Sequence, residues 1–328
     1  KQPGMEQEKD KTIVQSLRRI ALRIGASSII ITIALGAAAF QSPAAAAEQP
    51  QTFSSPDDAA HAMADALRKD DRPQLLAIFG NESQGLLSSG DPVADKNSVQ
   101  NFLKDYDLMH RFSHGPNDEL FLVVGAENWP LPIPLKKNSS GWYFDASEGA
   151  KELVYRRIGQ NERSAIRTLD AIVAGQHEYY GQSHDQGVAQ EYAQRIMSTG
   201  GKQNGLYWKT SASEPQSPIG PLVAQASLEG YRAGAEGKPI PVRGYYFRIL
   251  TKQGKDVPGG AKDYVADNKM TGGFAVLAYP ASYRSSGVMT FLANADGDVL
   301  QKDLGPQTGE LASAIDSYDP DASWQPAQ

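Results

Sequence analysis

The longest amphipathic pattern in the chain lies between residues 156 and 181. Its apolar or inward-facing positions recur at steps of three and four residues, which places them on one side of a helix with 3.6 residues per turn. These positions are Ala165, Ile166, Leu169, Ile172, Val173, Gln176 and Tyr180. Such a stripe is typical of a helix that lies across a sheet. The pattern predicts one long helix, preceded through Gly159 by a separate short helix at 148–157.

Upstream of this helix the pattern changes from helical periodicity to strands. Three amphipathic segments predict helices, and the first begins at Ser55-Pro56, where Ser55 is a natural N-cap. Residues 119–125 predict a strand, and Asn138–Gly141 predicts a hairpin turn into another strand. The other two predicted helices span residues 74–79 and 98–106. Helices followed by a small antiparallel sheet predict an α+β first domain at residues 48–150.

Downstream of the long helix the pattern predicts a second α+β domain at residues 151–328. Residues 188–197 predict another helix, because Gly200-Gly201 would end it. A hairpin turn is predicted at Asn294–Gly297. Four apolar runs predict strands, at residues 245–251, 274–279, 288–293 and 299–304. The second domain is therefore predicted as helix packed against antiparallel sheet.

Residues 1–47 have the pattern of a secretory signal peptide. Basic residues such as Arg18 and Arg19 precede an uncharged apolar run, and small residues at 42–47 follow it. The pattern predicts cleavage near Ala47 and a periplasmic or secreted protein. The alternative is a retained membrane anchor, although a run of about 17 apolar residues is short for a span.

The net charge and the lack of cysteine limit the chemistry and the partners that we expect for this protein. The chain has 328 residues, a formal charge of −6 and no cysteine. The absence of cysteine excludes disulfides and thiolate chemistry, and an acidic body disfavours nucleic acid. We expect no cofactor and no metal, an envelope protein or polymer as partner, and contact with membrane only through an uncleaved leader.

Several long motifs carry a family resemblance over most of the chain. They include GDPVADKNSVQNFL, RRIGQNERSAI, GYYFRILTKQG and MTGGFAVLAYPASY. These segments resemble the bacterial domain of unknown function 2950 family. The resemblance implies an exported protein, and it implies no activity and no catalytic residue.

The second half also resembles the head domains of type IV pilin-like and pseudopilin proteins. The segments that carry this resemblance are ERSAIRTLDAIVAGQHEYYG, GYYFRI, FAVLAYP and VMTFLANADGDVL. It implies a long helix against a four-stranded antiparallel sheet, and a role in filament assembly. Relatives carry an Asp-rich loop after the helix, whereas the matching residues 183–187 hold one carboxylate.

Polar residues at the end of the long helix are the candidates for chemistry. His177, Glu178, His184 and Asp185 supply two imidazoles and two carboxylates, which would suit acid–base catalysis or a zinc ion. The alternative is an exposed helix end without chemistry. His110 and His114 are four residues apart and would share a metal on a helix, or mark a polar helix terminus.

Aromatic residues on or beside predicted strands are the candidates for binding. Trp129, Trp142, Trp208 and Tyr245 would form a platform that stacks on sugars or a peptide. The alternative is that these rings fill the cores of small sheets. With no catalytic motif present, the sequence favours a non-catalytic binding or assembly module over an enzyme. The alternatives are a hydrolase of an envelope polymer and an accessory protein of a type IV pilus or secretion system.

Overall fold

The computed structural model describes residues 50–184, 190–211, 213–232 and 239–327. These residues form a mixed α+β structure with antiparallel strands, as predicted. The predicted leader and Asp185 lie outside them. The α-helices of the described residues are α1 (Pro56–Lys69), α2 (Arg72–Phe79), α3 (Gln84–Leu87), α4 (Pro92–Leu108), α5 (Ala146–Tyr180), α6 (Gly220–Leu228) and α7 (Thr308–Ala314).

Within the described ranges the strands form two five-stranded sheets and two short pairs. In the first sheet the order is β1-β2-β4-β5, with β3 beside β2; in the second it is β14-β13-β12-β11-β6. The strands are β1 (His110–His114), β2 (Leu120–Val124), β3 (Trp129–Pro130), β4 (Leu135–Asn138), β5 (Gly141–Phe144), β6 (Tyr245–Leu250), β7 (Lys252–Gln253), β8 (Lys262–Asp263), β9 (Val265–Ala266), β10 (Lys269–Met270), β11 (Ala275–Pro280), β12 (Met289–Asn294), β13 (Val299–Asp303) and β14 (Gln325–Pro326).

The three predicted helices of the first half are present, and each begins at a capping side chain with proline at its first or second position. Ser55 Oγ accepts a hydrogen bond from Asp58 N at 3.0 Å, and Asp71 caps α2 in the same way. Asp91 accepts from Val93 N and Ala94 N, so α4 begins at Pro92, earlier than predicted. Proline fits the first turn because its missing N–H has no partner there in any case.

Helix α5 is one continuous helix of 35 residues, so the predicted division at Gly159 is wrong. Asp145 caps its first turn through Ser147 N. The first turns pack through Ala146, Ala150 and Leu153 on the core cluster of the first sheet. Later turns pack through Ala165, Leu169 and Ile172 on the cluster of the second sheet. Gly159 does not end the helix, since both neighbouring segments are held by tertiary packing.

The second sheet buries both of its faces. Alternate residues of β6, β11 and β12, such as Tyr245, Val276 and Phe291, face the cluster that contains α5. The intervening residues Leu250 and Leu277 face a smaller cluster. Tyr318, Ile315 and Trp324 complete this smaller cluster. This alternation explains why β6, β11 and β12 are mainly apolar on both faces.

Two other predictions are corrected by the described residues. No helix occurs at 190–197; Tyr192 instead forms a bridge to Met270, and Met197 forms one to Tyr207. His110 and His114 lie on strand β1 rather than on a helix. Four residues along a strand separate the two histidines by about 13 Å, too far for one metal ion. None of the described helices has both the length and the apolar character needed to span a bilayer.

A half-buried arginine of the long helix links the residues before α4 to the loop before β12. Arg157 of α5 donates from Nε to Ser285 O at 2.9 Å and from its terminal nitrogens to Gly85 O and Leu86 O. Beside it, Asn161 Nδ2 donates to Ser286 O at 2.9 Å. These hydrogen bonds therefore hold two segments against the same face of α5: the loop that precedes β12 and the residues that precede α4.

Candidate functional site

The C-terminal end of α5 gathers most of the predicted site residues. His177 and Glu178 lie in its last turn, and the helix ends at Tyr180. His184 follows within the next residues, and Trp208 packs against it. Two groups of rings surround this helix end, and they differ in how much of their surface is exposed.

The inner ring cluster consists of Tyr179, His184 and Trp208. The rings of Tyr179 and His184 stack with centroids 3.7 Å apart, and Trp208 meets His184 edge to face at 5.4 Å. Tyr179 donates its hydroxyl to Gln203 O at 2.7 Å. Tyr179 and His184 are buried, while Trp208 is half-buried. This cluster closes the end of the helix and presents part of one indole to solvent.

The outer ring cluster consists of His177, Tyr180, Tyr192 and Phe274. Tyr180 and Tyr192 stack at 4.5 Å, and Tyr192 lies 4.9 Å from the buried ring of Phe274. His177 meets Phe274 edge to face at 5.7 Å. Burial raises the pKa of the Tyr192 hydroxyl, and the neighbouring Tyr180 adds to this. Tyr180 and Tyr192 are half-buried, so part of their surface remains accessible.

The two histidines donate to backbone carbonyls rather than to each other. His177 Nε2 lies 2.8 Å from Ala295 O, and His184 Nε2 lies 2.9 Å from Tyr179 O. Because a carbonyl oxygen only accepts, each Nε2 carries the hydrogen. Glu178 contacts Gln182 at 3.4 Å. The three described candidates share a helix end without sharing a hydrogen-bond network, and Asp185 lies outside the described residues.

The four predicted binding aromatics divide between the two sheets. Trp129 and Trp142 are half-buried against the first core cluster, where Trp129 meets Phe102 edge to face at 6.4 Å. Trp208 belongs to the inner ring cluster. Tyr245 has no exposed surface and donates its hydroxyl to Met289 O at 2.9 Å. Tyr245 therefore packs in the core, and burial raises its pKa.

The sequence pattern does not indicate some of the aromatic residues that stack on the candidate residues or near them. Tyr192 lies in the segment predicted as a helix, so its stacking on Tyr180 was not foreseen. His61 of α1 meets the ring of His110 edge to face at 5.9 Å, and His110 stacks on Tyr106 at 4.0 Å. Within the described residues, no group of three or more metal-ligating side chains is close enough to hold an ion.

A groove of about 390 Å³ lies elsewhere, beside the short pair β7–β8. Lys252, Lys262, Asp263 and Asp316 line it. Lys262 is held within the fold, since its Nζ donates to Gly272 O at 2.7 Å. None of the predicted site residues lines this groove.

Comparison with known proteins gives one match. A family model described as "Protein of unknown function (DUF2950)" matches residues 50–327. No curated protein and no solved structure matches the chain. The match covers most of the chain, including every described strand and helix.

Proposed function

The chain belongs to the DUF2950 family, and we propose that it is an exported, non-catalytic module that binds a saccharide polymer of the bacterial cell envelope. The proposed contact is the end of α5, where Tyr180, Tyr192 and Trp208 are half-buried. The observation that supports the proposal is that polar side-chain atoms at this helix end already have hydrogen-bond partners in the backbone. Both histidines and Tyr179 donate to backbone carbonyls, while the half-buried rings of Tyr180, Tyr192 and Trp208 keep part of their surface accessible.

The chemistry at this helix end suits a sugar. Partly exposed aromatic faces stack on the apolar face of a pyranose, and nearby polar groups accept hydrogen bonds from its hydroxyls. Glu178, Gln182 and Glu191 supply such groups, since Glu178 and Gln182 are exposed and Glu191 is half-buried.

A sedimentation assay with purified peptidoglycan sacculi tests the proposal. We expect the wild-type chain to sediment with the polymer, and Tyr180→Ala or Trp208→Ala to weaken binding about tenfold. Tyr155→Ala is the control, because Tyr155 lies on the same helix with 65% of its surface exposed. No co-sedimentation, or equal loss in all three variants, would overturn the proposal.

The alternative enzyme is a hydrolase of the same polymer that uses His177, Glu178, His184 and Asp185. Release of soluble sugar fragments from the sacculi separates the two functions. Fragments released by the wild-type chain and not by a variant with all four residues replaced would favour the hydrolase. We expect no release in either case.

Export rests on the sequence of residues 1–47. We propose cleavage near Ala47, supported by the basic, apolar and small-residue segments in that order. Cell fractionation followed by N-terminal sequencing tests this. A mature chain that begins near Glu48 in the periplasm or medium supports export, and a chain with its leader intact in the membrane supports a retained anchor.

We also propose that residues 48–150 and 151–328 are two domains that share α5, and that the second is pilin-like. Separate core clusters at the two ends of α5 support the division. The packing of α5 on an antiparallel sheet supports the likeness to pilin heads. Co-purification with a tagged pseudopilin tests a role in a type IV pilus or secretion system, and a chain that never co-purifies with it contradicts that role.

A further inference from the structure

Among the described strands, β1 lies at one edge of the first sheet and has β2 as its one neighbour. The register pairs His110 with Val124 and His114 with Leu120 without a bulge. At the ends of this ladder, Gly125 N donates to Met109 O at 2.9 Å and Gly115 N donates to Glu119 O at 2.8 Å. The backbone groups of odd-numbered residues on β1 therefore point towards β2.

The backbone groups of His110, Phe112 and His114 consequently point away from the sheet. Among the described residues, none bonds to their outward N–H or C=O groups. The opposite edge of the sheet differs, because Phe53 closes β5 through two hydrogen bonds with Trp142, of 2.7 and 2.8 Å. An open edge of this kind is a template for another strand.

Exposed apolar side chains lie next to this open edge. Leu108 exposes 65% of its surface and Met109 exposes 42%, directly before β1 begins. Phe112, at the centre of β1, is half-buried against the first core cluster. The edge thus combines unpaired backbone groups with an apolar flank.

We propose that β1 pairs antiparallel with β1 of a second copy of this chain, with Phe112 on the two-fold axis. His110 then lies opposite the partner's His114, and all three outward residues form hydrogen-bonded pairs, which gives about six backbone bonds. Arg111 lies opposite the partner's Ser113, so the two arginines do not face each other. The strand is self-complementary, as an interface with two-fold symmetry requires.

Sedimentation velocity on the full chain tests the pairing, and it does not depend on the proposed saccharide ligand. We expect a monomer–dimer equilibrium in the micromolar range. His114→Pro removes an outward N–H without breaking the ladder to β2, and should raise the dimer Kd about tenfold or more. His114→Ala keeps the N–H and should leave the Kd unchanged, with circular dichroism confirming that both variants are folded.

Cysteine cross-linking tests the register, since the chain has no cysteine of its own. In the proposed dimer Arg111 and the partner's Ser113 form a non-hydrogen-bonded pair with Cα atoms about 4.5 Å apart, a separation that a disulfide can span. We expect a disulfide-linked heterodimer when Arg111→Cys and Ser113→Cys proteins are mixed and oxidised, and none from either alone.

Three results overturn the pairing. They are a monomer at every concentration, a dimer that His114→Pro leaves unchanged, and equal cross-linking in mixed and unmixed samples. A monomer at every concentration contradicts the dimer, whatever lies along the outer edge of β1.

Discussion

The carboxylate of Asp91 accepts a hydrogen bond from the Tyr231 hydroxyl at 2.8 Å, across a separation of 140 residues. The same oxygen accepts from Gly244 N at 2.8 Å, while the other oxygen caps α4. Asp91 is fully buried, and burial raises the pKa of Tyr231, to which the bond with Asp91 adds. One side chain thus both starts a helix and fixes the loop that precedes β6.

We expect Asp91→Ala to lower the free energy of unfolding by about 3–5 kcal/mol, because it removes a cap and leaves buried donors unpaired. Tyr231→Phe should cost about 1–2 kcal/mol. Urea titration measures both. Asp71→Ala is the control and should cost about 1 kcal/mol, since the exposed side chain of Asp71 bonds only Gln74 N among the described contacts. Equal losses at Asp71 and Asp91 would show that the long-range bonds contribute nothing.

Replacement of Arg157 should destabilise the chain, although the residue has no carboxylate within bonding distance among the described residues. Burial lowers the pKa of Arg157 against the opposing effect of the Asp95 charge, and its guanidinium donates to carbonyl oxygens. Arg157→Met leaves those carbonyls without donors, so we expect a loss of about 2–4 kcal/mol in urea titration. Its neighbour Arg156 is exposed and pairs with Glu152, so Arg156→Met should cost no more than about 0.5 kcal/mol. The expectation fails if the two variants are equally stable.

Two glycines of α5 should respond in opposite directions to alanine. A Cβ at Gly149 would lie 2.2 Å from Pro132 O and 2.6 Å from Ile133 Cα, so the backbone would have to move. At Gly159 the nearest atom would be the end of Arg163, at 3.6 Å. We expect Gly149→Ala to destabilise by about 1–3 kcal/mol and Gly159→Ala to stabilise by about 0.5–1 kcal/mol. Thermal unfolding measures both, and a stabilising Gly149→Ala would contradict the close approach.

Tyr106 should make stability fall at alkaline pH. Burial raises the pKa of its hydroxyl to about 12, against the opposing effect of Arg68. The unfolded chain loses this proton near pH 10, so the contribution of Tyr106 is complete below about pH 10 and is lost as the pH rises towards about 12. Urea midpoints over this range should decrease less steeply for Tyr106→Phe.

At neutral pH, Tyr106→Phe should be neutral or stabilising. The Tyr106 hydroxyl is buried without a hydrogen-bond partner in the described residues, and its removal relieves that cost. A marked loss of stability at pH 7, or an alkaline dependence identical to that of the wild-type chain, would show that the hydroxyl has a partner.

Local signals predicted the elements whose ends are determined by nearby residues. Ser55 before Pro56 correctly marked the start of α1, and Asn138–Gly141 correctly marked the turn between β4 and β5. Both depend on hydrogen bonds within a few residues. Asn138 Oδ1, for example, accepts from Ser140 N and Gly141 N.

Long-range contacts account for the predictions that were wrong. Residues 190–197 have a helical composition, but buried Gln176 holds Ala193 in an extended segment. Its amide bonds both Ala193 N and Ala193 O at 2.8 Å, as a neighbouring strand would. The same limit applies to the candidate site. The sequence indicated the end of α5, whereas Ala295, whose carbonyl accepts from His177, lies 118 residues further along the chain.

The continuity of α5 has a consequence for how the protein unfolds. Its 35 residues extend about 52 Å, and side chains from its two halves complete different hydrophobic clusters. Melting of one cluster would leave about half of the helix without tertiary contacts. An isolated half-helix has only marginal stability in water. The two clusters should therefore unfold together. On heating we expect one calorimetric peak, although each cluster packs around its own sheet.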